Sequence, residues 1–80
     1  MSEVARVLST EEPAELIYLL GLNPKQIALT EKDDRGHQLL NELMGGDMLS
    51  LELSSGRKVR VLVTDLVQGQ SIIAKGVVQG

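Results

Sequence analysis

His37 is the only histidine in this 80-residue chain, and there is no cysteine. A general base needs an orienting partner on one side and a nucleophile within hydrogen-bond reach on the other. No motif here singles out a serine for that role, so His37 reads as a polar residue on the exposed face of a helix and no catalytic residue is expected. Zinc needs three or four ligands, usually Cys and His at motif spacing, and one His cannot supply them. Glu31, Asp33 and Asp34 gather carboxylates, but a calcium loop needs alternating ligands, a central Gly and a terminal bidentate Glu. Residues Asp33-Asp34-Arg35-Gly36-His37 lack that alternation. Acids at this position instead suit the positive end of a helix dipole. Gly45-Gly46 and Gly69 fit no phosphate-loop pattern and read as turns. Neither a metal nor a cofactor is expected.

Arg57, Lys58 and Arg60 are the remaining residues with chemistry to offer. Arg57 falls at a hairpin turn, and Lys58 and Arg60 share one face of the following strand, as a period of two dictates. Such a patch can hold phosphates. Single-strand binders usually add stacking aromatics, and Tyr18, the one aromatic residue, lies on a different element. Charges on a hairpin also deter unwanted strand addition. A solvated or internally paired face is the leading expectation for this patch, with a nucleic acid or an acidic protein as alternatives.

These residues must be positioned by a small aliphatic core. Chains divide into several domains only beyond roughly 250 residues, so residues 1–80 form one domain. The core has 14 Leu, 8 Val and 4 Ile to draw on, with no Phe and no Trp. Without cysteine no disulfide supplements it, and small secreted domains usually rely on disulfides; the expected setting is the cytoplasm. The longest apolar run, Leu16 to Leu20, is far short of the ~20 residues that span a bilayer, and Met1-Ser2-Glu3 does not open a signal peptide. No membrane partner is expected. The net charge of −3 is unevenly spread. Residues 1–55 hold four bases against ten acids, and residues 56–80 hold four bases against Asp65 alone.

Read along the chain, Glu3–Leu8 predicts a strand or docked extension. Ser9 or Thr10 can cap a helix, Glu11 and Glu12 suit its first turn, and Pro13 is tolerated there. Ala14, Ile17 and Leu20, joined by Leu16, recur at helical spacing. Gly21 would end this helix, with Leu22 folding back on it and Asn23-Pro24 forming a turn. Ile27 and Leu29 suggest a brief strand. Thr30 would cap a second helix, or that helix begins at Asp34 because Gly36 disfavours an earlier start. Its inward stripe is Leu39, Leu40, Leu43 and Met44, and Gly45-Gly46 stops it.

The period then changes. Leu49, Leu51 and Leu53 alternate with polar residues, Ser54-Ser55-Gly56 turns, and Val59, Val61 and Val63 return. Gln68-Gly69-Gln70 turns again into Ile72–Val78, with a bulge expected at Gly76. The fold class that follows is α+β: two short helices and then a three-stranded antiparallel meander. Short N-terminal strands could complete it into a small barrel or sheet.

Residues 49–76, LSLELSSGRKVRVLVTDLVQGQSIIAKG, resemble the first three strands of Sm-like small β-barrels. The opening part, with Met48, is similar to the bacterial Rho-inhibitor proteins that share that barrel, and a like helix-plus-hairpin pattern opens the N-terminal domains of flagellar-brake proteins. The resemblance implies a helix, a strand, a turn at Ser54–Arg57, a long bent strand and an apolar strand around Ile72-Ile73-Ala74. The family's strand-bending glycine is Val61 in this chain, and its base-pocket Asp and Asn are Val67 and Ser71. No functional residue therefore carries across. The two further strands of such a barrel would have to come from Glu3–Leu8 and Ile27–Leu29 with altered topology.

Leu62 and Leu66 share parity with Lys58 and Arg60, so the end of the return strand reads as apolar on both faces. That predicts a homo-oligomer, most simply a dimer, through Leu62 and Leu66. The leading functional expectation is a non-enzymatic protein-interaction or regulatory module that self-associates, with a protein partner that the residues do not name. A nucleic-acid-binding small β-barrel using Arg57, Lys58 and Arg60 is the second. A structural component of a larger phage or secretion assembly is the third.

Overall fold

The computed structural model describes residues 3–21 and 25–79. The expected Leu22 contact and the Asn23-Pro24 turn fall outside them. Six strands and one helix follow in the order β1 (Glu3–Val7), β2 (Ala14–Leu20), β3 (Gln26–Glu31), α1 (Asp34–Glu42), β4 (Met48–Glu52), β5 (Lys58–Gln68) and β6 (Ile72–Val78). The strands close into an all-antiparallel barrel, β1-β2-β3-β6-β5-β4. Two three-stranded meanders, joined through α1, zip together along β3–β6 and β4–β1, and closure leaves no sheet edge.

The expected α+β class is therefore wrong, and the first expected helix is the reason. Residues Ala14–Leu20 form a strand. The helical set Ala14, Ile17 and Leu20 competes there with a period-two set, Ala14, Leu16 and Tyr18, all three of which are buried. An isolated helix of two or three turns is marginal in water. As a strand the same residues form ladders with β1 on one side and β3 on the other. Pro13 sits just before the first ladder residue, where its missing N–H breaks no ladder bond.

The second expected helix is real but starts at Asp34. Asp33 is its N-cap and its carboxylate accepts from Gly36 N–H at 3.0 Å. Thr30 and Glu31 belong to β3, not to the helix. The helix packs on β2, β3 and β6 across one end of the barrel. Leu40 is buried in the core, with Leu39 and Leu43 packed against it, while Met44 is 69% exposed. A Cβ on Gly36 would lie 3.0 Å from the Glu15 carbonyl oxygen and 3.1 Å from Leu16 Cδ2. The glycine that weakens the helix by propensity is what lets it sit this close to β2.

The alternation in the second half holds. Leu49, Leu51, Val59, Val61, Val63, Ile72 and Ala74 all point inward. The bulge lies on β5 rather than at Gly76: Val63 pairs with Gly76 and Asp65 with Lys75, so Thr64 is the extra residue. The interior of so small a barrel is filled by side chains alone. Ala5, Ala14 and Ala74 lie among Leu and Val side chains with Tyr18 as the one ring, which accounts for a core built without Phe or Trp.

Candidate functional site

The antiparallel barrel has two unlike ends. At one, β1 ends, β2 begins and α1 lies across the opening. At the other, β1 begins, β2 ends, and the Ser54–Arg57 turn joins β4 to β5. The helix end carries Glu11, Glu12, Glu15, Glu31, Asp33, Asp34, Glu42 and Asp47 against Lys32 and Arg35, a net of −6. The hairpin end carries Lys25, Arg57, Lys58 and Arg60 against Glu3, a net of +3. The uneven charge along the sequence thus becomes a charge separation from one end of the barrel to the other.

Both bases at the helix end, and the histidine, are paired with its carboxylates. Lys32 Nζ donates to Glu15 Oε1 at 3.1 Å, and Arg35 lies 2.9 Å from Glu12. His37 Nδ1 lies 2.6 Å from Glu31 Oε2. That hydrogen bond holds the Glu31 carboxyl below its ordinary value, helped by the Ile72 backbone and the Ser71 side chain. The His37–Glu31 contact ties the end of β3 to α1. Among the described residues, no group of three or more His, Asp or Glu could hold a metal ion.

Arg57, Lys58 and Arg60 are exposed at the hairpin end and form no ion pair with a described residue. The neighbouring Arg6 on β1 pairs with Glu52 at 3.7 Å. Tyr18 cannot serve this patch. Its ring is inside the barrel, and its hydroxyl donates to Glu3 Oε2 at 2.7 Å and lies 3.0 Å from Ser54 Oγ.

Leu62 and Leu66 do not share a face. Leu62 points outward in a row with Met48 and Val77. Beyond the extra residue Thr64 the parity inverts, so Leu66 pairs with Ala74 and packs against the core while Asp65 and Val67 turn outward. One inserted residue separates the two halves of the expected interface.

A different apolar surface takes its place, one that sequence reasoning missed. On the outer wall, register aligns Val4, Ile17, Thr30, Ile73 and Val67 in one row across five strands. Leu19, Ala28, Lys75 and Asp65 form the next row towards the hairpin end. Leu19 is 71% exposed, Val67 44% and Ile73 37%. Shallow grooves flank Leu19, one of them floored by Ile17, Ala28, Thr30 and Ile73. The signal was the surplus of apolar residues in Ala14–Leu20: a strand there puts Ile17 and Leu19 outside as surely as Leu16 and Tyr18 inside.

No helix among the described residues is long and apolar enough to cross a membrane. Comparison with protein-family models, curated proteins and solved structures finds no match to this chain.

Proposed function

We propose that this protein is a non-enzymatic interaction module, acting in the cytoplasm, whose working surface is the apolar outer wall of β2, β3, β6 and the far part of β5. The observation that carries the reading is Leu19, a large aliphatic side chain at 71% exposure in the middle of a sheet face. Scattered apolar side chains on a surface are ordinary, but in-register rows over adjacent strands mark a contact surface. The test uses the wild type and Leu19→Glu as bait in an extract of the native cell, with free bait at known concentration. The wild type is expected to retain a protein, whether a second copy or another chain, that the variant loses. Equal retention by both, or by neither, overturns the reading.

A second reading rests on Arg57, Lys58 and Arg60, which have no ion-pair partner among the described residues. In it the barrel binds a polyanion at the hairpin end, as the resemblance to Sm-like and Rho-inhibitor barrels would suggest. Support comes from barrel closure and from a helix preceding a long, bulged β5. Against it, the barrel has six strands closed by N-terminal ones, and its one tyrosine, with no Phe or Trp beside it, is buried. Three phosphate contacts to a single strand would give a log–log salt slope of about −2. Binding to mixed RNA that is weak and flat with salt, and indifferent to Arg57→Glu/Arg60→Glu, removes this reading.

A further inference from the structure

We infer that the partner on the apolar wall is a second copy of this chain, docked wall to wall about a twofold axis with the two barrels antiparallel. This rests on the interaction-module reading above and names its partner.

An isologous interface must be self-complementary, because the same patch appears on both sides. This wall carries both halves of such a fit. Leu19 projects from β2, and the small Ala28 is its register partner on β3. The row of Ile17, Thr30 and Ile73 runs beside them. Antiparallel docking turns the Leu19 row of each copy onto the Ile17 row of the other, so that each Leu19 meets Ile17 and Thr30. A parallel arrangement about an axis along the barrel exchanges β2 with β5 instead and carries Leu19 across the wall towards the charged Asp65.

The charge layout selects the same orientation. Wall-to-wall docking with parallel barrels sets the two −6 helix ends side by side. The antiparallel arrangement sets each acidic helix end beside the other copy's hairpin end, where Lys58 and Arg60 stand without a described partner. Opposed potentials of this kind also fix the register of association and speed it. Size is sufficient. Four strands at ~4.8 Å spacing span about 19 Å, on a molecule 26 × 26 × 23 Å. The smallest specific interfaces bury about 600 Å² per partner, about a tenth of this chain's 5283 Å² surface.

Sedimentation equilibrium over a hundredfold concentration range, about micromolar to 0.1 millimolar, tests it on the full chain. The expected result is a monomer–dimer equilibrium whose dissociation constant rises at least tenfold in Leu19→Glu and in Ala28→Arg, with far-UV circular dichroism unchanged. Both positions are on the outer wall, so the two variants guard each other against a folding failure. Raising salt is expected to weaken the dimer, as is Lys58→Glu/Arg60→Glu. Carbodiimide coupling of isotope-mixed protein should join Lys58 of one copy to Asp33, Asp34 or Glu42 of the other. A monomer at every concentration overturns the inference, as does a dimer indifferent to Leu19→Glu and Ala28→Arg or one cross-linked helix end to helix end. If the chain stays monomeric while the extract experiment still retains a Leu19-dependent partner, the interaction-module reading stands and only the self-association fails.

Discussion

Gly76 on β6 lies beneath the carbonyl of Leu62 on β5, so close that a Cβ at position 76 would stand 2.6 Å from that oxygen. The same Cβ would stand 2.6 Å from Val61 Cγ1. The approach occurs where β5 bulges, opposite Val63. Overpacking a close contact costs about 1–3 kcal/mol, and here one obstacle is backbone, which cannot swing aside. Gly76→Ala should therefore lose stability at the upper end of that range in urea denaturation. Gly45→Ala, where a Cβ meets nothing within 4 Å, should change by no more than about 0.5 kcal/mol. Equal effects would refute the close approach.

The bulge at Thr64 makes a second expectation. Leu66 packs against the core and Leu62 faces outward. Leu66→Asp pushes a carboxylate towards Ala74 and should cost about 2 kcal/mol or more. Leu62→Asp should cost about half of that or less. Denaturation midpoints that fall together would mean the parity does not invert.

Glu31 provides a test by pH. Its carboxyl is held below the ordinary value chiefly by the hydrogen bond from His37. A carboxylate depressed in the folded chain adds stability that is complete above the unfolded value and is lost as pH falls through the folded one. In His37→Ala the Glu31 carboxyl should titrate at higher pH, followed by carbon-detected NMR. A midpoint unmoved by the substitution would assign the shift to Ile72 and Ser71 instead.

The barrel closes on its shortest ladder. β1 meets β4 only through Arg6–Glu52 and Val7–Leu51, with Leu8 N–H donating to the Ser50 carbonyl at 2.7 Å beside them. Local opening favours regions with few such contacts. Amide exchange at Leu8 should therefore outpace exchange in the β5–β6 ladder, which pairs seven positions. Equal protection at the two seams would show that the barrel opens only as a whole.

The β4–β5–β6 meander and the inward positions Leu49, Leu51, Val59, Val61 and Val63 followed from strict alternation, and each of those side chains is buried. For α1 the residues left two starts open, a cap at Thr30 or a start at Asp34 suggested by Gly36, and the structure takes the second, with Thr30 and Glu31 in β3. Ala14–Leu20 was misread because its apolar residues satisfy two periods at once. Period alone cannot choose between them, whereas partners can: β1 and β3 stand on either side of β2 and supply ladder bonds that a short helix would lack.

The candidate sites divide in the same way. Composition alone determined that a metal cluster of Cys and His could not form, and the order of the residues that charge would be unevenly shared and that Lys58 and Arg60 would project from one face of a strand. Only the tertiary structure decided that the uneven charge would become two opposed ends, since that depends on which strand termini lie together in a closed antiparallel barrel. Only it decided that Leu62 and Leu66 would part, because a bulge is set by how β5 must bend past Gly76 to pair with β6. Leu19 shows the limit most clearly. Its exposure is a property of barrel closure, since the face that carries it is inside or outside only once six strands have joined.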